Sequence, residues 1–184
     1  MQEAKYLPVV RLVNSHLDVL MRLYGGAVSV DLPPAVDVLK FRQVPDTQEV
    51  FIIEGETKES DVNIIFDLLE MVPENIESAI NVHVSDILDH VDTIEAMETA
   101  GDAHLFLVAS QQGKLLTIVG LIRLAKVETD VLVTMNIPLT SSEQQKLQQS
   151  NPKELVAGHI KNHYVTIKQA CNSFKVEDWG LFGQ

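Results

Sequence analysis

Two pairs of carboxylates carry the residue types best suited to chemistry in this chain. Asp46 and Glu49 are three positions apart, and so are Asp67 and Glu70. Two carboxylates held close together can act as a general acid and a general base, so an enzyme is one interpretation. Carboxylates at the rim of an apolar patch instead suit an interface that receives Lys or Arg side chains. Both interpretations depend on the elements that position these residues.

The segment 60–71 carries the second pair and has apolar residues at helical spacing after a residue able to cap a helix. It therefore predicts a helix, on which Asp67 and Glu70 would share one face because residues i and i+3 are neighbours there. The apolar Phe66 beside them favours an interface over an acid–base pair. For Asp46, turn formation is an equally good interpretation, since Asp readily bonds its own backbone.

Other reactive residue types give little support for catalysis or for a cofactor. The sequence contains neither G-x-x-x-x-G-K-[ST] nor G-x-G-x-x-G, so it lacks the motifs of P-loop GTPases and dinucleotide-binding enzymes. His159 and His163 have the i, i+4 spacing of metal ligands, but the Glu of H-E-x-x-H is missing, and no metal site is predicted. The single cysteine, Cys171, lies in an apolar helical pattern and is predicted to pack in the core.

The chain is acidic, with a formal net charge of -12 over 184 residues. Such a charge excludes a general nucleic-acid binder, which needs a basic surface, and disfavours anionic membranes. Between Glu54 and Asp102 there are 14 acidic residues and a single basic residue, Lys58. We interpret this acidic block as a docking face for a basic partner, with solvated helix faces as the alternative. No apolar run is long enough to predict a transmembrane helix.

The order of hydrophobic patterns predicts a single α+β domain with a mostly antiparallel sheet. Strands are predicted at 27–32, 49–54, 105–110, 115–125 and 130–137. Helices are predicted at 60–71, 73–90 and 151–174. The acidic segment 91–102 is predicted as a loop or short helix, and residues 1–22 have apolar residues spaced as in an amphipathic helix.

Several short motifs, in their order and spacing, point to one family. They are Leu23-Tyr24-Gly25-Gly26-Ala27, Val44-Pro45-Asp46-Thr47-Gln48-Glu49-Val50, Asp67-Leu68-Leu69-Glu70, Leu121-Ile122-Arg123-Leu124, Thr129-Asp130-Val131-Leu132-Val133 and Asn136-Ile137-Pro138-Leu139. Together they resemble the Mog-type Ran guanine nucleotide release factors. The resemblance implies an α/β/α sandwich with helices on both faces of the sheet, as in PsbP-like proteins.

The resemblance also implies a function, a partner and a location. Members bind the GTPase Ran, promote release of its guanine nucleotide and support nuclear protein import, so we expect a non-enzymatic regulator, in the nucleus and also the cytoplasm. The Ran-binding residues it implies are Asp67 and Glu70 first, then Asp46 and Glu49, with Thr47, Gln48 and Arg123 as lesser candidates. We expect a monomer that needs no cofactor or metal, with a second Ran-binding protein as a further partner.

Residues 23–184 are therefore expected to form a single Ran-binding domain, preceded by an N-terminal extension, 1–22, of unknown role. Two alternatives remain beside the release factor. The first is a Ran-binding adaptor or trafficking scaffold without exchange activity. The second is an enzyme that uses a carboxylate pair, which would require a pocket with a buried Asp or Glu of raised pKa.

Overall fold

The computed structural model describes residues 10–13 and 16–183. The strands of these residues are β1 (Val10–Val13), β2 (His16–Leu23), β3 (Val28–Leu32), β4 (Val36–Asp37), β5 (Gln48–Ile53), β6 (Val62–Glu70), β7 (Val91–Ala100), β8 (Ala103–Ser110), β9 (Leu115–Leu124), β10 (Thr129–Ile137) and β11 (Lys175–Val176). Their α-helices are α1 (Ile76–Ile87), α2 (Ser141–Gln149) and α3 (Gly158–Ser173).

The larger of two sheets forms the centre of the fold. Its strand order is β4-β5-β6-β10-β9-β8-β7, and all neighbouring pairs are antiparallel. The continuous Val, Leu and Ile runs of β9 and β10 belong to its interior, where strands are covered on both faces. The smaller sheet has the order β1-β2-β3-β11, and β3 packs against α3.

Two hydrophobic clusters, one on each face of the larger sheet, hold the layers together. On one face α3 contributes Ile160, Ile167 and Cys171, which pack with the inward residues of the strands. On the other face α1 contributes Ile80 and Val84, which pack on the strands β8, β9 and β10. Helices therefore cover both faces, which confirms the α/β/α sandwich, and the buried Cys171 confirms its predicted place in the core.

The predicted helix at 60–71 is wrong, because this segment forms strand β6. Its burial alternates from Val62 to Phe66, as expected for a strand, and it pairs with β5 on one side and β10 on the other. The apolar positions fit both periods over so short a segment, and pairing with two strands selects the extended form. Consequently Asp67 and Glu70 do not share a face, because residues i and i+3 of a strand point to opposite sides.

Two other predictions are corrected in the same way. Segment 91–102 contains β7, a strand at the edge of the sheet with irregular register, where charge and bulges protect against unwanted pairing. The helix predicted for 1–22 is replaced, in the part that the structure describes, by β1 and β2. Residues 1–9 and 14–15 lie outside the described residues. No helix of the described residues is long and apolar enough to cross a membrane.

Candidate functional site

The strand pair β5–β6 brings two of the predicted site residues together. Gln48 opens β5 directly opposite Asp67 of β6, and its Nε2 donates a hydrogen bond of 2.8 Å to Asp67 Oδ2. The Asp67 side chain belongs to a residue only 9% exposed. Its other oxygen, Oδ1, is buried and has no hydrogen-bond partner among the described residues. Because a buried, unpaired acceptor costs free energy, Asp67 is an unusual position in the sheet and a candidate functional residue.

Asp67 lies in a small groove beside the C-terminal end of α1. The groove has a volume of about 270 Å³ and is lined by Gln48 and Asp67, by Leu88 after the helix, and by Thr134 and Asn136 of β10. It therefore combines apolar walls with a few polar groups, and it is partly open to solvent. An open groove of this kind is better suited to receiving a side chain of a partner protein than to enclosing a substrate for catalysis.

Tyr24 ties the turn before β5 to the sheet. Its hydroxyl lies 3.0 Å from the carbonyl oxygens of both Thr47 and Phe66, to which it donates. Thr47 O also accepts a 2.9 Å hydrogen bond from the Leu68 N–H. Asp46 and Thr47 are thus displayed to solvent on a turn whose backbone is anchored to β6. Burial first, and then the charges of nearby carboxylates, raise the pKa of the Tyr24 phenol, which stays protonated as a donor.

The chain turns sharply just before β3, and this turn explains the two glycines that follow Tyr24. Gly25 and Gly26 have φ of +66° and +98°, in the left-handed region that favours glycine. This turn reverses the chain between β2 and β3 and presents Tyr24 to the strand pair β5–β6.

Glu49, by contrast, lies on the other face of β5 from Gln48. It is buried, and its Oε1 accepts the Tyr24 N–H. Burial, opposed by this hydrogen bond, raises the pKa of Glu49 above its usual value. A buried carboxyl of raised pKa is what the enzyme alternative requires, yet Glu49 and Asp67 point to opposite sides of the sheet. The structure therefore offers no acid–base pair from these residues.

We expect Tyr24→Phe to lower the free energy of unfolding by about 1 kcal/mol, because it removes the hydroxyl that ties the turn before β5 to the carbonyl oxygen of Phe66 in β6. Chemical denaturation would measure the change. The matched control is Tyr164→Phe, whose hydroxyl donates to the exposed Glu98. Water can replace that bond, so a smaller loss is expected there. Equal losses in the two variants would contradict the tethering role of Tyr24.

Arg123 is held in a second polar cluster, which fastens α1 to the sheet. Its Nε donates to Asp130 Oδ1 at 2.8 Å, and its Nη2 to Asp130 Oδ2 at 3.0 Å. The remaining Arg123 donors reach the carbonyl oxygens of Glu74 and Val72, in the segment before α1. His83, from α1 itself, places Nε2 2.9 Å from Asp130 Oδ2.

Asp130 is the centre of this cluster and is fully buried. Burial alone raises the pKa of Asp130, but the hydrogen bonds from Arg123, His83 and the Val72 N–H together outweigh it and hold the pKa below its usual value. The carboxylate is therefore ionised, and it pairs with a guanidinium in the bidentate geometry that such pairs favour. Arg123 therefore fastens the segment before α1 to the sheet, whereas the Asp67 groove lies beside the other end of this helix.

The remaining predicted residues are dispersed. Glu70 is exposed at the end of β6, on the face opposite Asp67. The acidic block is also divided: Glu77 and Asp86 are exposed on α1, whereas Glu98 bonds Tyr164 and Lys168 of α3 on the other side of the sheet. The block as a whole therefore does not form the single docking face that its sequence clustering suggests.

Sequence reasoning missed the roles of Tyr24, His83 and Asp130. His83 and Asp130 are 47 positions apart in the chain, so no spacing could link them. The usable signal was Asp130 itself, a charged residue within an otherwise apolar strand, since buried charges are almost always paired. Among the described residues no three His, Cys, Asp or Glu side chains cluster as a metal site would require. His159 and His163 have the i, i+4 spacing of metal ligands, but their rings pack against each other edge to face, with centroids 5.9 Å apart.

An antiparallel sheet between helices places this chain in the class of small α/β/α sandwich proteins, and its candidate site lies in an open groove. Residues 21–138 match the family described as Ran-interacting Mog1 protein. The chain belongs to this Mog1 family.

Individual relatives agree with this assignment. The chain is 32% identical to "Nuclear import protein MOG1" of Saccharomyces cerevisiae, over 88% of this chain and 84% of that protein. It is 32% identical to "Ran guanine nucleotide release factor" of Bos taurus, over 63% of this chain and 74% of the relative. Its fold matches the crystal structure of the Saccharomyces cerevisiae Ran-binding protein Mog1p with a TM-score of 0.72 and 29% identity, covering 90% of this chain and 98% of that one.

Proposed function

We propose that this protein binds the GTPase Ran and promotes release of its guanine nucleotide, in support of nuclear protein import. The single observation that carries the proposal is membership of the Mog1 family, whose description names Ran as the interacting protein. The names of the bovine and yeast relatives add nucleotide release and nuclear import. We expect the protein to act in the nucleus, and also in the cytoplasm, as a monomer within residues 23–184.

The contact site that we propose is the open side of the β5–β6 strand pair. Asp67 and Gln48 form its centre, and the exposed Asp46 and Thr47 lie around it. Glu70 points to the opposite face of the sheet and would contact Ran only from the end of β6. An acidic centre suits basic side chains of Ran, since a charge-assisted hydrogen bond to a carboxylate is stronger than a neutral one. Glu49 would act indirectly, through Tyr24, and Arg123 through α1.

The proposed mechanism is differential binding and not chemistry on the nucleotide. A protein that binds two states of Ran equally well cannot shift the balance between them, however tightly it binds. Release is accelerated only when the site prefers a state of Ran that holds its nucleotide weakly. A rigid site favours such selection, because the tethered turn and the clamped helix lose little freedom when a partner docks.

The experiment that tests this function measures release of a fluorescent guanine nucleotide from Ran, with and without the protein, at low and moderate salt. We expect faster release with the protein, and a smaller acceleration at the higher salt because exposed charges are screened. Binding without any change in release would instead support the adaptor or scaffold. No binding at all would refute both functions.

The proposed residues are tested by replacing Asp67 and Glu70 together with Lys. We expect Ran affinity to fall at least about tenfold, because like charges would then face each other across the contact. The matched control is Asp102→Lys with Glu154→Lys, two exposed positions outside the β5–β6 surface that undergo the same change of charge. Equal affinity in the two double variants would show that overall charge, and not this site, governs binding.

A further inference from the structure

Helix α1 covers only one half of the face of the larger sheet on which it packs. The cluster under α1 is built on β8, β9 and β10, with Leu69 of β6 at its margin. Val50, Ile52 and Ile65 belong to neither hydrophobic cluster of the described residues, although all three are half-buried. These branched side chains therefore pack on each other at the surface and not in a core.

The strand register shows that these residues share one face. Val50 lies opposite Ile65, and Val36 of β4 opposite Ile52. Ile65 is paired with Thr134 of β10, and the neighbouring pair Asp67–Leu132 is on the same side, since alternate residues of a strand share a face. Leu132 packs under α1, so the whole set faces the α1 side. We call Val36, Val50, Ile52 and Ile65 the apolar strip; Val36 is 38% exposed.

Buried acceptors without partners lie along the same strip. On β6, Asn63 and Asp67 flank Ile65, and both Asn63 Oδ1 and Asp67 Oδ1 are buried without a hydrogen-bond partner among the described residues. Asp67 also lines the groove beside α1, together with Ile65 and Gln48. Folded proteins rarely leave such atoms unpaired, so these two side chains are unusual positions along the strip, and Asp67 is the one that borders the groove.

From this arrangement we propose that the apolar strip is a docking surface for a segment of Ran with a Lys or Arg next to apolar side chains. The cationic group enters the groove and pairs with the Asp67 carboxylate, and the apolar side chains pack on Val50 and Ile65. This inference rests on the proposed function and deepens it, because it assigns the contact to the half of the sheet beyond α1 and names a largely apolar component.

The chemistry of the surface selects this occupant. The groove is lined by the acidic residue Asp67 and holds no basic residue, so a cationic donor complements it in charge and can form a charge-assisted hydrogen bond. Lys and Arg carry apolar stems that can lie along Ile65 while the charged end reaches the groove. The strip is also continuous with Gln48 and Asp46 on the turn, so one partner can contact both.

The first experiment locates Ran on the folded wild-type chain by methyl NMR. With Ile and Val methyl groups labelled, addition of Ran should shift or broaden the signals of Val50, Ile52 and Ile65. Val165 serves as the internal control, since it is 43% exposed on α3, on the other side of the sheet. Its signal should show only the uniform broadening that the larger complex causes.

The second experiment replaces two apolar side chains of the strip with polar ones. Val→Thr keeps the shape of the side chain, and Ile→Thr also shortens it by one carbon. We expect the double variant Val50→Thr, Ile65→Thr to weaken Ran binding about tenfold and Val165→Thr to leave it unchanged. If Ran binds but shifts methyl groups elsewhere, or if the double variant binds normally, the docking surface is wrong while the proposed function stands. If Ran does not bind the wild-type chain, the proposed function itself fails, and the docking surface with it. Because the methyl map uses wild-type protein, it decides the question even if the variant does not fold.

Discussion

Replacing Asp130 with Ala is expected to lower the free energy of unfolding by about 3 kcal/mol, which is the lower end for breaking a buried ion pair by removing one partner. The loss exceeds that of one hydrogen bond because Arg123, His83 and the Val72 N–H lose their acceptor together. Arg123 is partly exposed and can recover some hydration, so a larger loss is not expected. Urea denaturation at neutral pH would measure the change.

The pH dependence provides an independent check on the Asp130 cluster. The pKa of Asp130 is lower in the folded protein than in the unfolded chain, so its stabilisation is complete above the unfolded value of about 3.9. It is lost as the pH falls through the folded-state pKa. The difference between wild type and Asp130→Ala should therefore shrink in acid. Asp102→Ala, at an exposed position, should change stability by less than about 0.5 kcal/mol at either pH. A difference that stayed constant into strong acid would show that Asp130 does not stabilise the fold as an anion.

The second large effect is expected at Gly120, where β9 passes under α3. A Cβ at this position would lie 2.5 Å from Cys171 Sγ and 3.4 Å from Leu105 Cδ2. Because the core is close-packed, Gly120→Ala should cost about 2 kcal/mol, as overpacking usually does. Thermal unfolding would show a lower Tm.

A double-mutant cycle would identify the cause of this loss. Cys171→Ala removes the sulfur that the new methyl group meets, so the combined variant Gly120→Ala, Cys171→Ala should be more stable than the two single losses predict. We expect a coupling of about 1 kcal/mol, in the range found for residues in contact. Strictly additive losses would mean that the strain lies elsewhere, for example against Leu105.

The sandwich architecture was predictable because it depends on long apolar patterns. β9 and β10 are dense in branched residues, and the segment of α1 shows a clear helical period, so the types of these elements followed from composition and spacing. The segment of β6 failed for the opposite reason. Six of its nine residues are apolar and fit both periods over so short a segment, and only pairing with β5 and β10 settles the conformation.

The candidate site was predictable in its residues but not in its geometry. The motif around Asp67 was recognised, but the position of Asp67 relative to Glu70 depends on the local conformation. A helix would place the two side chains on one face, whereas the observed strand places them on opposite faces. The partnership of Gln48 with Asp67 depends on strand register, and that of Tyr24 with Thr47 and Phe66 on a turn at the far end of another strand. Such contacts between distant segments leave no periodic trace in a single sequence.

The position of β10 also has a consequence for biosynthesis. β10 lies between β6 and β9, yet it is translated after both, so the strands β4-β5-β6 and β7-β8-β9 first emerge as two separate groups. Until residues 129–137 have left the ribosome, β6 and β9 each present an unpaired edge to the cytosol, and such edges promote aggregation. The nascent chain should therefore depend on chaperones most strongly during this interval, and the arrival of one strand ends that dependence by joining the two groups.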